Sequence, residues 1–286
     1  MSRTIIVTDS TSDIPPDLAK EYGIEVVPLA LMFGDETYRD GVDMTPEEFY
    51  ERLPRTAQLP TTSQPSPVEY MKVYQGIMAR NPGCSILSFH ISSGLSGTYQ
   101  SALLAKSMLE EEGERISVVD SLSASYGFGF MVVHAARLAA QGLEPAAILE
   151  SAEQLRQSRK LYFLVDTLEY LQKGGRIGKA SAFLGTLLNI KPILSIDQEG
   201  IIYAVEKVRG RKKAVARMIE LFKNDLKGMD TVNAAVGHTA EPESAREFLE
   251  ELSRHFTVKE KVLTNVGPVV GSHVGNGTLA VFIWPA

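Results

Sequence analysis

Short apolar runs alternate with helical patterns along the first half of the chain. Four runs predict strands, at residues 4–8, 25–32, 85–90 and 116–120. All but the second are almost continuously apolar, which is typical of strands covered on both faces by helices. Hydroxyl and proline residues between them indicate helix starts near residues 15, 45, 66, 97 and 123. Strands that alternate with helices form right-handed βαβ units, so we predict an N-terminal three-layer α/β/α domain with a parallel sheet.

The pattern changes after residue 158. A strand at 161–165 precedes an apolar helix at 180–188, and strands at 192–196 and 201–205 flank the turn sequence Asp197-Gln198-Glu199-Gly200. The elements that follow are helices at 211–227 and 242–255 and strands at 231–237, 258–264 and 278–284. We therefore predict two domains, residues 1–158 and residues 159–286. The second is expected to be a two-layer α/β domain with a mixed sheet.

Composition narrows the functional classes. The 286 residues are 44% hydrophobic and 22% charged, as in soluble globular proteins. With 29 Lys and Arg against 35 Asp and Glu, the net charge of −6 argues against nucleic-acid binding, which requires clustered basic charge. Cys84 is the only cysteine, which excludes an intramolecular disulfide.

Neither a metal site nor a membrane span is expected. The five histidines are scattered and no H-E-x-x-H motif occurs, so we predict no metal. No apolar run approaches the ~20 residues of a transmembrane helix, and the run at 5–7 is too short for a signal peptide. We expect a cytoplasmic protein without stable membrane insertion, although transient membrane contact is compatible with the sequence.

Hydroxyl side chains are concentrated where predicted strands end. They occur at residues 9–13, 92–98 and 121–125, and again at 60–66 before a predicted helix. Loops that follow parallel strands share one edge of the sheet, where neutral donors and helix N-termini suit a small anion. Helix capping explains any single loop. The segment 92–98 has more hydroxyls than a cap needs, and its glycines allow close backbone approach.

His273 and two basic clusters are further candidates. His273 lies in the glycine-rich segment 267–277, which offers it little local packing, so we favour a ligand contact over a structural role. The basic clusters at 173–176 and 207–213 are typical of solvated surface. The alternative is docking of an acidic or phosphate-bearing partner, with Arg176 and Arg209 as the residues to test.

Taken together, five segments resemble the DegV family, to which the fatty-acid-binding subunits of bacterial fatty acid kinase belong. They occur in the same order as in the family, at residues 8–13, 61–66, 92–99, 174–177 and 267–278. The resemblance implies a two-domain protein that holds one long-chain fatty acid, of the palmitate or oleate type, in an apolar tunnel. It assigns the carboxylate to Thr62 and Ser96, His273 to the same network, and Arg209 to the tunnel mouth.

The resemblance also implies that the protein is not an enzyme. A separate fatty acid kinase subunit phosphorylates the bound carboxylate to acyl phosphate, which links the protein to lipid transport, fatty acid metabolism and phospholipid synthesis. No cofactor is expected besides the bound lipid. Ser93, Gly97 and Arg176 are expected as further ligand or docking contacts. Helices at 126–139 and 180–190 are candidates for the tunnel wall, although core packing explains the same residues.

Two other functions remain open at this point. A serine hydrolase would use Ser96 or Ser93 with His273, but the G-x-S-x-G elbow is absent and the sequence assigns no acid. A structural or regulatory interaction protein would act through Arg176 and the stretch 207–213, and it would require no occupied pocket.

Overall fold

The computed structural model describes residues 3–185 and 189–286. Its strands are β1 (Thr4–Asp9), β2 (Glu25–Val27), β3 (Ala30–Phe33), β4 (Glu36–Arg39), β5 (Thr61–Ser63), β6 (Ser85–His90), β7 (Ile116–Asp120), β8 (Lys160–Leu164), β9 (Ile190–Ile196), β10 (Ile202–Arg209), β11 (Thr231–His238), β12 (Thr257–Asn265) and β13 (Leu279–Pro285). Its α-helices are α1 (Pro16–Glu21), α2 (Pro46–Arg52), α3 (Pro67–Arg80), α4 (Thr98–Met108), α5 (Tyr126–Ala140), α6 (Pro145–Ser158), α7 (Glu169–Lys173), α8 (Arg211–Asp225), α9 (Pro242–Ser253) and α10 (Pro268–Val274).

The first sheet has the order β2-β1-β6-β7, and all of its pairings are parallel. Successive side chains alternate between its faces because a strand has a two-residue period. Ile5 and Val7 of β1 pack with residues of α3 and α4, whereas Ile6 packs with residues of α5 on the other face. The predicted three-layer α/β/α arrangement is confirmed.

Two helices of this half begin as the sequence predicts. The side chains of Thr45 and Ser66 each accept a hydrogen bond from the backbone N–H three residues later. The side chains of Glu48 and Glu69 in turn accept one from the backbone N–H of the cap residue. Each helix also has proline in its first turn. These reciprocal capping boxes satisfy backbone groups that a helix start leaves unpaired.

The second sheet is mixed, as predicted, with the order β10-β9-β8-β13-β11-β12. Only its β11–β12 pair is parallel. Helices α8 and α9 cover one face, where Met218, Phe222 and Phe248 are buried. The opposite face carries Phe163 and Phe282, which belong to the same core as α5 of the first half. The two halves are therefore joined through one continuous apolar layer.

A small antiparallel sheet, β4-β3-β5, departs from the sequence prediction. Residues 25–32 were expected to form one strand, but β2 pairs with β1 whereas β3 pairs with β4 and β5. Pro28 lies between them, and proline cannot donate a ladder hydrogen bond. The break directs the chain out of the first sheet, and the small sheet then carries Thr62 on β5.

One later prediction also changes. In place of the apolar helix expected at 180–188, the structure has a 3₁₀ helix at Gly178–Phe183, and residues 186–188 lie outside the described part of the chain. Helix α10 occupies the centre of the glycine-rich segment. Helix α6 ends at Ser158 and β8 begins at Lys160, and we propose the domain division there.

In the described ranges, no helix has the length and apolar character needed to cross a bilayer.

Candidate functional site

Thr62 and His273 come together from distant parts of the chain. Thr62 lies on β5, opposite Leu31 of β3, and His273 lies in the last turn of α10. Thr62 Oγ1 and His273 Nε2 are 3.0 Å apart, a hydrogen bond between residues separated by 211 positions. The structure thus joins two of the three residues that the resemblance assigns to a carboxylate site. We call Thr62, Ser96 and His273 the polar end.

The surroundings of His273 keep its imidazole neutral. Burial, assisted by the positive charge of Arg176, lowers the pKa of His273 to about 4. Its Nδ1 atom is buried and has no hydrogen-bond partner among the described residues. A Cβ on Gly174 would lie 2.3 Å from that atom. The ring therefore occupies space that only a glycine at position 174 leaves free.

Ser96 lies in the loop between β6 and α4, and its hydroxyl is engaged within that loop. Its Oγ is 2.8 Å from Thr98 Oγ1 and accepts a hydrogen bond from the Thr98 N–H at 3.3 Å. A Cβ on Gly97 would lie 2.9 Å from Gln64 Nε2, so the absent side chain lets the β5 segment approach this loop. Ser96 and Thr62 are neighbours through their loops, and no direct bond joins them.

The remaining loop candidate, Ser93, is exposed. Its backbone N–H donates to the Asp120 carboxylate at 3.2 and 3.3 Å. Over the described residues, neither Ser93 nor Ser96 hydrogen-bonds His273, and no carboxylate orients the histidine's second nitrogen. A nucleophile, base and acid in series are the signature of a serine hydrolase, and the structure does not assemble them.

The two arginine candidates occupy different places. Arg176 Nε donates to the Leu95 carbonyl at 3.0 Å, its Nη1 donates to the Gly174 carbonyl at 2.8 Å, and its side chain lines the cavity described below. Arg209, at the end of β10, is exposed and pairs in register with Ile190. It is not among the described residues that line the cavity. Arg176 is thus part of the site, whereas Arg209 is separate from it.

A mainly apolar cavity lies between the two halves, and His273 is the member of the polar end found among its described lining residues. The space available in it to the centre of a water-sized sphere is about 80 Å³. Its polar lining residues are Ser125, Arg176, His273 and Thr278. Its apolar lining residues are Leu95, Ala124, Leu161, Phe163, Leu171, Ile196, Ile202, Val266, Val270, Val274, Ala280 and Phe282. Ligand sites in proteins have this composition, with a few polar groups at one place in an apolar wall.

The wall of the cavity is made by strands β8, β9, β10 and β13 and by α10. This differs from the tunnel wall expected from the sequence. The helices at 126–139 and 180–190 were candidates for the tunnel wall, yet no described residue of either range lines the cavity. Phe128, Phe130 and Met131 of α5, together with Ala180, are buried in the core instead. The core-packing alternative therefore accounts for these residues.

The sequence prediction missed a buried group of acids beneath α10. Asp13 Oδ1 accepts a hydrogen bond from the Gly267 N–H at 3.0 Å, and its Oδ2 accepts one from the Ser125 hydroxyl. Asp40 Oδ2 accepts from the Ser10 hydroxyl at 2.7 Å. Burial raises the pKa of Asp13 well above its usual range and the pKa of Asp40 to about 6. The sequence signal was present, because Asp13 lies in the hydroxyl-rich segment after β1.

The geometry defines an α/β protein with a mainly apolar cavity between its two halves, lined on its polar part by His273 and Arg176 among others. The model of the DegV family, described as uncharacterised proteins, matches residues 3–286. Protein DegV of Bacillus subtilis is 37% identical over 277 residues, which cover 96% of this chain and 97% of that protein. A DegV domain-containing protein of Halalkalibacterium halodurans is 37% identical over 281 residues, 98% of each chain. The chain belongs to the DegV family.

Solved structures show the same fold. A DegV family protein from Thermus thermophilus, described by its fatty acid binding, matches with a TM-score of 0.91 and 39% identity, covering 99% of this chain and 100% of that one. DegV from Bacillus subtilis, described as a fatty acid binding protein, matches with a TM-score of 0.89 and 36% identity over 100% of both chains. A stearic acid-binding protein from Eubacterium ventriosum matches with a TM-score of 0.90 and 29% identity, covering 100% of this chain and 98% of that one.

Proposed function

We propose that the protein binds one long-chain fatty acid, of the palmitate or oleate type, with its carboxylate at the polar end and its acyl chain in the apolar cavity. The observation that carries the proposal is the 3.0 Å hydrogen bond between Thr62 and His273, because His273 also lines the mainly apolar cavity. Fatty acid binding by solved relatives from Thermus thermophilus and Bacillus subtilis supports it.

A carboxylate is held here by neutral donors. In the neutral tautomer that carries its proton on Nε2, His273 donates to Thr62 Oγ1, which leaves the Thr62 hydroxyl proton for a ligand oxygen. The Ser96 hydroxyl and the first turn of α4 add donors from the neighbouring loop, because the first N–H groups of a helix lack acceptors within it. Hydrogen bonds to a charged oxygen are stronger than neutral ones. Arg176 at the cavity rim adds a favourable positive charge.

The acyl chain supplies most of the affinity. Burial of apolar surface contributes about 0.8 kcal/mol for each methylene group removed from water. Twelve of the described lining residues are apolar, and the four polar ones are Ser125, Arg176, His273 and Thr278. A carboxylate and a buried chain together account for a cavity that is mainly apolar with a few polar groups.

A second part of the proposal concerns the reaction that the bound fatty acid undergoes. A separate fatty acid kinase subunit transfers the terminal phosphoryl group of ATP to a carboxylate oxygen, giving acyl phosphate and ADP in the cytoplasm, and the product supplies phospholipid synthesis. Thr62 is half-buried between the exposed residues Thr61 and Ser63, which supports access from the surface. The protein then presents substrate without catalysis of its own. Arg209 and the stretch 207–213 are the proposed contacts for the kinase or, transiently, a membrane.

A double variant tests the carboxylate assignment. In delipidated protein, Thr62→Ala with Ser96→Ala is expected to weaken palmitate binding by about tenfold or more, because hydrogen bonds to a charged group contribute about 1.5–3 kcal/mol each. The matched control is Thr61→Ala with Ser107→Ala, two exposed hydroxyls, one beside Thr62 on β5 and one on α4, the helix that follows the Ser96 loop, which should bind palmitate normally. Equal affinity in both double variants would place the carboxylate elsewhere.

A further inference from the structure

A row of side chains across the second sheet closes the far end of the cavity. Phe282 of β13 is opposite Leu161 of β8, and Ile196 of β9 is opposite Ile202 of β10. All four line the cavity. The next residue on the same face of β13, Trp284, lines a different cleft together with Tyr126 and Phe130. Phe282 is the largest side chain in the row and lies at the boundary between the two spaces.

Gly127 of α5 fixes the position of the Phe282 ring. A Cβ at Gly127 would lie 2.8 Å from Phe282 Cε1 and 3.0 Å from Cδ1. On the other side, a Cβ at Gly237 of β11 would lie 3.7 Å from Phe282 Cε2. The ring is therefore held between α5 and β11 while it also lines the cavity.

Thr278, close in sequence to His273, and Phe282 both line the cavity and are joined by β13. Thr278 Oγ1 donates to the Val274 carbonyl at 3.1 Å, which ties the start of β13 to the helix that carries His273. Ala280 and then Phe282 follow along the strand on the same face, and Phe282 lies about 7 Å beyond Ala280 at the usual strand rise. A chain anchored at the polar end would direct its methyl end towards Phe282.

We propose that Phe282, seated against Gly127, sets the length of the acyl chain that the cavity accepts. The inference rests on the proposed fatty-acid function. A chain that is too long leaves methylenes in water or displaces the ring, and displacing a packed core side chain is unfavourable. A chain that is too short leaves apolar wall without contacts. Preference for chain length therefore follows the position of this one ring.

Two substitutions move the boundary in opposite directions. Gly127→Ala adds a methyl group where Phe282 and the Ser123 hydroxyl, 2.6 Å from the new Cβ, now lie, so the ring shifts into the cavity and the preferred chain becomes shorter. Phe282→Leu removes ring volume, so the preferred chain becomes longer. Each is measured on delipidated protein by competition of laurate, myristate, palmitate, stearate and arachidate against a fluorescent fatty acid. Successive acids in this series differ by two methylene groups. Displacing those two groups from the cavity should change the ratio of the affinities of neighbouring acids by about tenfold.

Matched controls separate the boundary from general stability. Gly76→Ala, at an open position on α3, and Phe248→Leu, in the core on the other face of the second sheet, should keep the wild-type order of affinities. Folded Gly127→Ala or Phe282→Leu protein that keeps the wild-type order would overturn the inference while leaving the proposed function intact. Wild-type protein that binds none of the five acids would instead overturn the proposed function, and the inference with it.

Discussion

The Asp13 carboxylate accepts a hydrogen bond from the backbone N–H of Gly267, 3.0 Å away, across 254 positions of sequence. Gly267 is the residue from which α10 begins, and α10 carries His273 in its last turn. A buried acid of the N-terminal half therefore orients the helix that delivers the histidine to Thr62. The polar end depends on this contact although Asp13 is not part of it.

Replacement of Asp13 should distinguish a neutral acid from a charged one. Burial raises the pKa of Asp13 well above its usual range, which favours the protonated acid, the form that asparagine resembles. We expect Asp13→Asn to retain the bonds to Gly267 and Ser125 and to unfold in urea within about 1 kcal/mol of wild type. Asp13→Ala leaves both partners unpaired and should lose about 2–4 kcal/mol. An Asn variant as unstable as the Ala variant would contradict a protonated Asp13.

Stability should fall as the pH rises through the titration of Asp40. Burial raises its pKa from 3.8 to about 6, so between these values the folded state binds more protons than the unfolded state. The shift corresponds to about 3 kcal/mol, present below pH ~4 and lost above pH ~6. Urea unfolding of Asp40→Asn, compared with wild type at both ends of this window, should lack that loss. Parallel pH profiles for the two proteins would contradict the assignment.

Gly174→Ala should weaken fatty acid binding without contact to the ligand. The new Cβ would lie 2.3 Å from His273 Nδ1 and 3.0 Å from the Tyr170 carbonyl, so the imidazole must move away from Thr62. We expect palmitate affinity to fall about tenfold, in proportion to one lost charge-assisted contact. Gly76→Ala is the control, because its nearest atom is a flexible arginine terminus 3.7 Å away. Unchanged affinity in Gly174→Ala would show that the ring position is unimportant.

His273 should remain neutral well below the usual range of histidine. Burial and Arg176 lower its pKa to about 4, so its ring signals in NMR spectra of ligand-free protein should not shift between pH 8 and 5. Arg176→Gln removes the smaller of the two causes and should raise the midpoint while leaving it below 6.5. A wild-type midpoint near 6.5 would mean that the ring is solvated and that the donor arrangement at Thr62 is different.

Local sequence signals were sufficient for the elements with strong periodicity. Strands β6 and β7 have the predicted bounds, Ser85–His90 and Ile116–Asp120, because continuous apolar runs leave little choice of boundary. The small sheet was missed because pairing between β3 and β5 is a long-range event that local pattern does not encode. The helix α10 did carry a signal, with Pro268 in its first turn and Gly275 at a φ of 72° after its end. The abundance of glycine concealed it.

Part of the candidate site was predictable and part was not. Hydroxyl-rich loops and the resemblance identified Thr62, Ser96 and His273, and the first and last of these bond directly. The buried acids Asp13 and Asp40 were not identified because aspartate is usually exposed, and burial is a property of the tertiary fold. The role of Gly174 was equally hidden, since only the packed structure shows that His273 fills the space beside it.

The most direct test of fatty acid binding is the mass of the protein together with any lipid bound to it. Protein purified gently from bacterial cells is measured by native mass spectrometry, and the bound material is extracted and identified. We expect one long-chain fatty acid per chain, and after delipidation we expect palmitate or oleate to restore the same mass increment. Protein that carries no lipid and binds neither acid would contradict the proposed function.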